Sequence, residues 1–259
     1  MTIPFVKMHG AGNDFVMVDN RTLSFPLDNP ALIARLANRP DGIGSEGVIF
    51  VQPSDRTDFA MRFFNPDGGE AELCGNGARC VAAFAHATGV VASRTMRFET
   101  RAGDVYAKVL DDGRVTIALP DPKDLRPNFI NSGVPHAIVP VEDLVSAPVA
   151  TEGRRIRYSA AFAPAGTNVD FVKWTSSNSL SIRTYERGVE AETFACGTGS
   201  VAAALIGVAQ YGLKFPVAVK TACGYELAID GKWENHRFSS VTLTGPVKRV
   251  FSGTIELDF

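Results

Sequence analysis

The tetrad Cys74-Gly75-Asn76-Gly77 returns as Cys196-Gly197-Thr198-Gly199, a spacing of 196 − 74 = 122 residues. Each copy opens a run of small and apolar residues, 78–88 before Gly89 and 200–211 before Gly212. Upstream of the tetrads the offset is 121. Arg62-Phe63-Phe64-Asn65 meets Arg183-Thr184-Tyr185-Glu186, Gly47 to Val51 meets Asn168 to Val172, and Gly12-Asn13 meets Gly133-Val134. Downstream, Thr100 and Gly103 meet Thr221 and Gly224, again at 121. Identities within each pair are few, but one shared offset along most of the chain marks a duplicated unit of about 120 residues. A chain built this way folds as two equivalent halves, each presenting its Cys-Gly loop at an equivalent place.

The local pattern within each half is short strands and one glycine-terminated helix. Strands are expected at 48–51, 59–64, 96–100 and 115–119, and then at 171–174, 180–185, 217–221 and 241–244. Asp112-Gly113 and Asp230-Gly231 are read as turns between strands. A further helix is expected over 30–38, with Asn29 as its cap and Pro30 in its first turn. The halves join near Pro120-Asp121-Pro122, where the periodic patterns lapse. The expected fold is α+β: two pseudo-symmetric domains, each a curved sheet or barrel around a central helix. The first spans 1–118, completed by a C-terminal strand over 250–259; the second spans 119–249, with the active site at the domain interface.

Apolar residues make up 45% of the 259 and charged residues 21%, which supplies a core for each half and excludes a disordered chain. The formal charge of −2, without a block of one sign, makes nucleic acid and anionic membrane poor partners. The longest apolar run, 201–209, is under half of the roughly 20 residues that a membrane span needs. The first 20 residues interrupt their apolar positions with Lys7, His9, Asn13 and Asp14, unlike a secretory signal, so a cytoplasmic location is expected. Four cysteines in such a chain read as reduced thiols.

A cysteine at the start of a helix meets exposed N–H groups and the positive end of the helix dipole, both of which favour thiolate. The glycines after it admit a ligand to the backbone, and the same N–H groups suit a carboxylate. One such loop binds a carboxylate beside a thiol. Two of them, facing one carbon from opposite sides, suit stereoinversion, in which one group removes a proton and the other delivers one to the opposite face. Cys74 and Cys196 are therefore the candidate bases. Cys80, six residues along the same helix, is expected in the core, and Cys223 is expected to serve packing. No Cys or His lies within four residues of Cys74 or Cys196, so metal ligation is disfavoured, although a non-enzymatic thiol redox or metal-binding role is the alternative class.

With these residues established, the sequence resembles the diaminopimelate epimerases. The resemblance spans nearly the whole chain: Lys7-Met8-His9-Gly10-Ala11-Gly12-Asn13-Asp14-Phe15, Phe64-Asn65-Pro66-Asp67-Gly68, Cys74 to Cys80, Pro135-His136, Tyr185-Glu186-Arg187-Gly188, and Ala195 to Gly199. It implies interconversion of L,L- and meso-diaminopimelate on the route to lysine and peptidoglycan precursors, without pyridoxal phosphate or metal, in a homodimer. By the same resemblance Cys74 and Cys196 exchange the proton while His136 and Glu186 neighbour and tune the thiols. Asn13, Asn65, Asn168, Glu186 and Arg187, with the loop residues Gly75, Asn76, Gly197 and Thr198, bind the amino-acid substrate. Two departures bear on its distal end: Gly47 and Val134 stand where many members carry Gln and Asn. A histidine- or proline-racemase-like activity on the same fold is the enzymatic alternative.

Overall fold

The computed structural model describes residues 1–257, and the chain divides into two compact units. Residues 1–117 and the segment from Gly245 onward form the first; residues 118–244 form the second. In chain order the first unit holds β1 (Thr2–Gly10), β2 (Asn13–Asp19), α1 (Pro30–Ala37), β3 (Val48–Gln52), β4 (Phe59–Phe64), β5 (Glu70–Ala71), α2 (Gly75–Ala87), β6 (Thr95–Thr100), β7 (Gly103–Val109) and β8 (Val115–Ala118). The second continues with β9 (Lys123–Arg126), β10 (Phe129–Asn131), β11 (Pro135–Pro140), α3 (Val149–Arg157), β12 (Asn168–Ser176), β13 (Ser179–Glu186), β14 (Ala191–Thr193), α4 (Gly197–Gln210), β15 (Val217–Lys220), β16 (Glu226–Glu234) and β17 (Arg237–Gly245). Last comes β18 (Val247–Glu256), which pairs antiparallel with β1; the final two residues of the strand expected over 250–259 lie outside the described residues. The fold is α+β.

The repeat is legible in the strand registers. Val16 sits opposite Val48 in the parallel pair β2 and β3, and Ala137 opposite Val169 in β11 and β12. Ile49 faces Phe63 as Asp170 faces Thr184, and Phe59 faces Phe98 as Leu180 faces Val219. Every one of these correspondences is 121 residues apart. At the next pairing Phe63 faces Ala71 while Thr184 faces Thr193, so the second copy has gained one residue between them. That residue falls in the turn from β13 to β14, where Glu190 adopts a φ of 59°.

Each unit encloses the helix that follows its Cys-Gly tetrad. Helix α2 touches β1, β2, β3, β4, β7 and β18, and α4 touches β10, β11, β12, β13, β15 and β16. Their sequences suit enclosure: Ala78, Val81, Ala82, Phe84 and Ala85 are buried on α2, as is the continuous run from Val201 to Ile206 on α4. A helix apolar around its circumference is stable only when covered on all sides. A second helix covers the other side of the sheet in each unit. Leu32, Ile33 and Leu36 of α1 pack with Val48, Phe50 and Phe64, while Val149 and Ile156 of α3 pack with Val169, Phe171 and Tyr185. The three strand positions are again related by 121 residues.

One turn expectation is corrected. Asp230-Gly231 lies inside β16, where the register with β17 shifts between Asp230 and Lys232. The hairpin turns instead at Asn235-His236, whose φ values of 50° and 60° supply the two left-handed residues that a tight hairpin requires. Among the described residues no helix is long and apolar enough to cross a membrane.

Candidate functional site

In the first unit, Cys74 precedes α2 with extended backbone, φ −127° and ψ 120°. Its carbonyl accepts the Ala78 N–H at 2.7 Å, which leaves the first-turn N–H groups directed out of the helix. The half-buried thiol donates to Asn13 Oδ1 at 3.6 Å. Asn13 is held in turn, because its amide nitrogen donates to Glu46. The next residue, Asp14, pairs with Lys7 at 2.6 Å and accepts the Glu46 N–H at 3.1 Å. Asn76 is buried, and its Oδ1 accepts Arg79 Nη2 at 2.8 Å. Asn65 lies exposed in the β4–β5 turn, where its N–H donates to Gly69 O and its carbonyl accepts the Gly68 N–H, both at 2.9 Å.

In the second unit, Cys196 occupies the same position before α4, with φ −100° and ψ 112°, and its Sγ accepts the Gly199 N–H at 3.4 Å. Thr198 Oγ1 lies 3.4 Å from that sulfur and 3.0 Å from His136 Nε2. The other ring nitrogen of His136, Nδ1, lies 2.7 Å from Asp170 Oδ2. Both side chains are completely enclosed. Thr184 Oγ1 donates to the remaining oxygen of Asp170 at 2.7 Å. Asn168 ties the rim together: its Oδ1 accepts the Arg187 N–H at 2.8 Å and its Nδ2 donates to Pro135 O at 3.1 Å.

The electrostatics of Cys196 correct the expectation of a lowered thiol pKa. Burial pushes its pKa up, the negative charges of Glu186 and Asp170 push it further, and the hydrogen bonds from Thr198 and Gly199 only partly oppose them. Desolvation and two carboxylates outweigh one helix end, so this thiol is protonated at neutral pH. Cys80 is fully buried, as expected, and burial pushes it to about 12. Cys223, expected to serve packing, is exposed.

The structure thus gathers Cys74, Gly75, Asn76 and Asn13 at the start of α2, and Cys196, Gly197, Thr198, His136 and Asn168 at the start of α4, with Arg187 tied to the latter group through Asn168. Three polar residues escaped sequence reasoning: Asp170, Thr184 and Arg79. Asp170 did carry a signal. In a strand reading Asn168-Val169-Asp170-Phe171-Val172, Asn168 and Asp170 point to one face, and a carboxylate within an apolar strand requires a partner.

The departure at Gly47 also has a local cause. A Cβ there would lie 2.6 Å from Phe63 Cε2, so the Phe63 ring fills the space that a side chain would enter.

Comparison with known proteins places these features in context. Residues 5–123 and 128–250 match the family description "Diaminopimelate epimerase". The chain is 40% identical to the diaminopimelate epimerase of Aquifex aeolicus, with 97% of each chain covered. It is 39% identical to that of Chlorobaculum tepidum, with 96% of this chain and all of that one covered. Among solved structures, a Bacillus anthracis phenazine biosynthesis protein of the PhzF family superposes with a TM-score of 0.76 at 16% identity, covering 99% of this chain and 100% of that one. A probable proline racemase from Agrobacterium radiobacter gives 0.71 at 17% identity, covering 99% and 93%. At such identities the two structural likenesses speak for the fold alone.

Proposed function

The chain belongs to the diaminopimelate epimerase family, and on that premise we propose how its residues divide the chemistry. It is an isomerase that interconverts L,L- and meso-2,6-diaminopimelate, a reaction of lysine biosynthesis. In our reading Cys74 and Cys196 are the two bases. Inversion needs a thiolate on one face of the α-carbon and a thiol on the other, with the roles exchanged in the reverse direction. Burial beside Glu186 and Asp170 keeps Cys196 protonated, so it begins as the donor and Cys74 begins as the acceptor. Substrate whose α-hydrogen faces Cys74 loses it there and gains one from Cys196.

The N–H groups of Gly75 and Asn76, and of Gly197 and Thr198, bind the α-carboxylate and stabilise the charge that develops on it as the proton leaves. His136 and Glu186 tune the thiols. Asn13, Asn65, Asn168, Glu186 and Arg187 read the amino-acid groups, with Arg187 suited to the distal carboxylate through a two-pronged contact. The reaction needs neither pyridoxal phosphate nor a metal, and the enzyme acts in the cytoplasm as a homodimer.

The observation that carries this reading is that the same residue, cysteine, stands directly before the enclosed helix in both copies of the repeat. The test is incubation with L,L-diaminopimelate in heavy water. The expected outcome is one deuterium at the α-carbon of the meso product, in enzyme stripped by chelator and free of pyridoxal phosphate. Epimerisation without solvent deuterium, or turnover that requires either additive, would refute it.

A further inference from the structure

The deeply buried Asp170 enters the reading above only as a negative charge beside Cys196, although both of its carboxylate oxygens are held by side chains. Its Oδ2 lies 2.7 Å from His136 Nδ1 and its Oδ1 accepts Thr184 at 2.7 Å. From His136 Nε2 the line continues to Thr198 Oγ1 at 3.0 Å and from there to Cys196 Sγ at 3.4 Å. Four side chains from three separate segments make one unbroken file inside the second unit. An enclosed carboxylate is stable when its oxygens meet donors, and both of these do.

We propose that Asp170 is a positioning residue that holds His136 as the proton store of Cys196, with the Thr198 hydroxyl as the bridge between ring and sulfur. This rests on the two-base reading of Cys196. With Nδ1–H donated to Asp170, Nε2 is left as an acceptor. It receives the Thr198 O–H and, at 3.5 Å, the Asn168 amide as well. Thr198 oxygen then accepts the Cys196 S–H. In the transfer the S–H bond breaks, its proton bonds to Thr198 oxygen, and the proton of Thr198 passes to Nε2. The products are a thiolate and an imidazolium; the bonds from Cys196 to Thr198 and from Thr198 to His136 survive with their direction reversed, while Nδ1–H continues to donate to Asp170. The net charge of the group is unchanged. In the direction in which Cys196 must begin as thiolate, this transfer supplies the thiolate by holding its proton on His136. Until substrate has been deprotonated, the same path run backwards restores the thiol without water having to reach a buried sulfur.

The charged groups bearing on Cys196 are Glu186 and Asp170, and they make the proposal testable through the sign of an effect. Asp170 acts on the sulfur directly by repulsion, which disfavours thiolate. Through His136 it acts the other way. The experiment measures alkylation of Cys196 by iodoacetamide at pH 7.5, by peptide mapping, in the free wild type, Asp170→Asn, His136→Gln and the double variant. The expected result is about tenfold slower alkylation in each single variant, no further loss in the double, unchanged alkylation of Cys74, and a fall in kcat of about 100-fold with KM within twofold. Faster alkylation in Asp170→Asn, or multiplied effects in the double, would overturn the proposal and leave Asp170 as a simple repelling charge.

A measurement on the wild type covers the case in which the variants do not fold. In protein carrying 15N-histidine, the neutral His136 ring should show a protonated Nδ1 and an unprotonated Nε2. The opposite tautomer would overturn the proposal. Failure of the two-base reading shows instead as epimerisation retained in Cys74→Ala or Cys196→Ala, which neither the tautomer nor the alkylation pattern determines.

Discussion

Gly199 and Asp170 are packed so closely that a Cβ on Gly199 would lie 2.5 Å from the carboxylate oxygen Oδ1. The last glycine of the second tetrad therefore does more than loosen a loop. It lets the first turn of α4 approach Asp170 while its own N–H points at the Cys196 sulfur.

Replacing Gly199 with alanine should accordingly disturb both contacts. Overpacking of this kind costs about 1–3 kcal/mol, and misplacing a reacting sulfur by even 1 Å costs up to about 100-fold in rate. The expected outcome is a lowered urea midpoint together with a kcat reduced by at least about tenfold. Full activity in Gly199→Ala would contradict the packing.

The four thiols should separate by exposure and surroundings. Cys74→Ala and Cys196→Ala should each abolish epimerisation with little loss of stability, since each supplies one face of the transfer. Cys223→Ser, at an exposed site, should change stability by less than about 0.5 kcal/mol. Cys80→Ser places a hydroxyl in a fully enclosed position and should cost about 1–3 kcal/mol, with turnover retained. Urea titrations and initial rates on the four proteins check all of this.

Alkaline pH should destabilise the protein through its buried thiols. Cys80 rises from 9.0 in the unfolded chain to about 12 in the fold, and burial moves Cys196 in the same direction. A folded pKa above the unfolded one means that the native state retains a proton which the unfolded state has lost. The stability contributed is therefore complete below pH 9 and declines as pH rises toward 12, by at most about 1.4 kcal/mol per pH unit for each thiol. Unfolding free energies at pH 8 and pH 10.5 should show the decline, and Cys80→Ala should lessen it. An equal slope in that variant would exclude Cys80 as a cause.

How far the sequence discloses such features depends on whether their cause is local. The strands containing Phe59 to Phe64 and Leu180 to Tyr185, and the helix capped by Asn29, follow from alternation, spacing and end residues within a few positions of each other. Helix α3 does not follow. It carries four charged residues and an internal glycine in nine positions, and it exists because Val149 and Ile156 pack on Phe171 and Tyr185 of the sheet. Gly153 there is needed by that packing, since a Cβ would lie 2.5 Å from Tyr185 Cβ. The same division holds at the site. The two cysteine loops are contiguous motifs and could be read directly. The high pKa of Cys196 could not, because Glu186 and Asp170 come from neighbouring strands and burial is a property of the whole unit. Cys223 misled for a similar reason, since its context of small residues reads the same whether a turn faces inward or outward.

At Gly47 the structure predicts the result of restoring the side chain found in many relatives. Gly47→Gln would drive its Cβ against Phe63 Cε2 at 2.6 Å and close to Phe64 O at 3.0 Å, an overpacking cost of about 1–3 kcal/mol. Adding Phe63→Ala removes the ring and should recover part of the loss relative to the sum of the two single changes. Strict additivity in a double-mutant cycle would show that the ring is not the obstacle.

Arg79 provides the last prediction, and it concerns the other half of the chemistry. It is wholly buried on α2, with Nη2 on Asn76 Oδ1 at 2.8 Å, Nη1 on Gly75 O at 3.3 Å, and Nε without a partner. Burial lowers its pKa, and the groups that oppose this electrostatically are the thiols of Cys80 and Cys74 rather than a carboxylate. A buried cation lacking a paired anion is costly to keep, so Arg79→Met should change stability by less than about 1 kcal/mol even though two hydrogen bonds are lost. The positive charge, however, favours thiolate at Cys74, and its removal should slow alkylation of Cys74 at pH 7.5 several-fold while alkylation of Cys196 stays constant. Arg79→Lys tests the two contributions separately, since it retains the charge but cannot hold both Gly75 and Asn76. Cys74 alkylation should then lie between the wild type and Arg79→Met. A large loss of stability in Arg79→Met with unaltered Cys74 reactivity would instead assign Arg79 to holding the helix end alone.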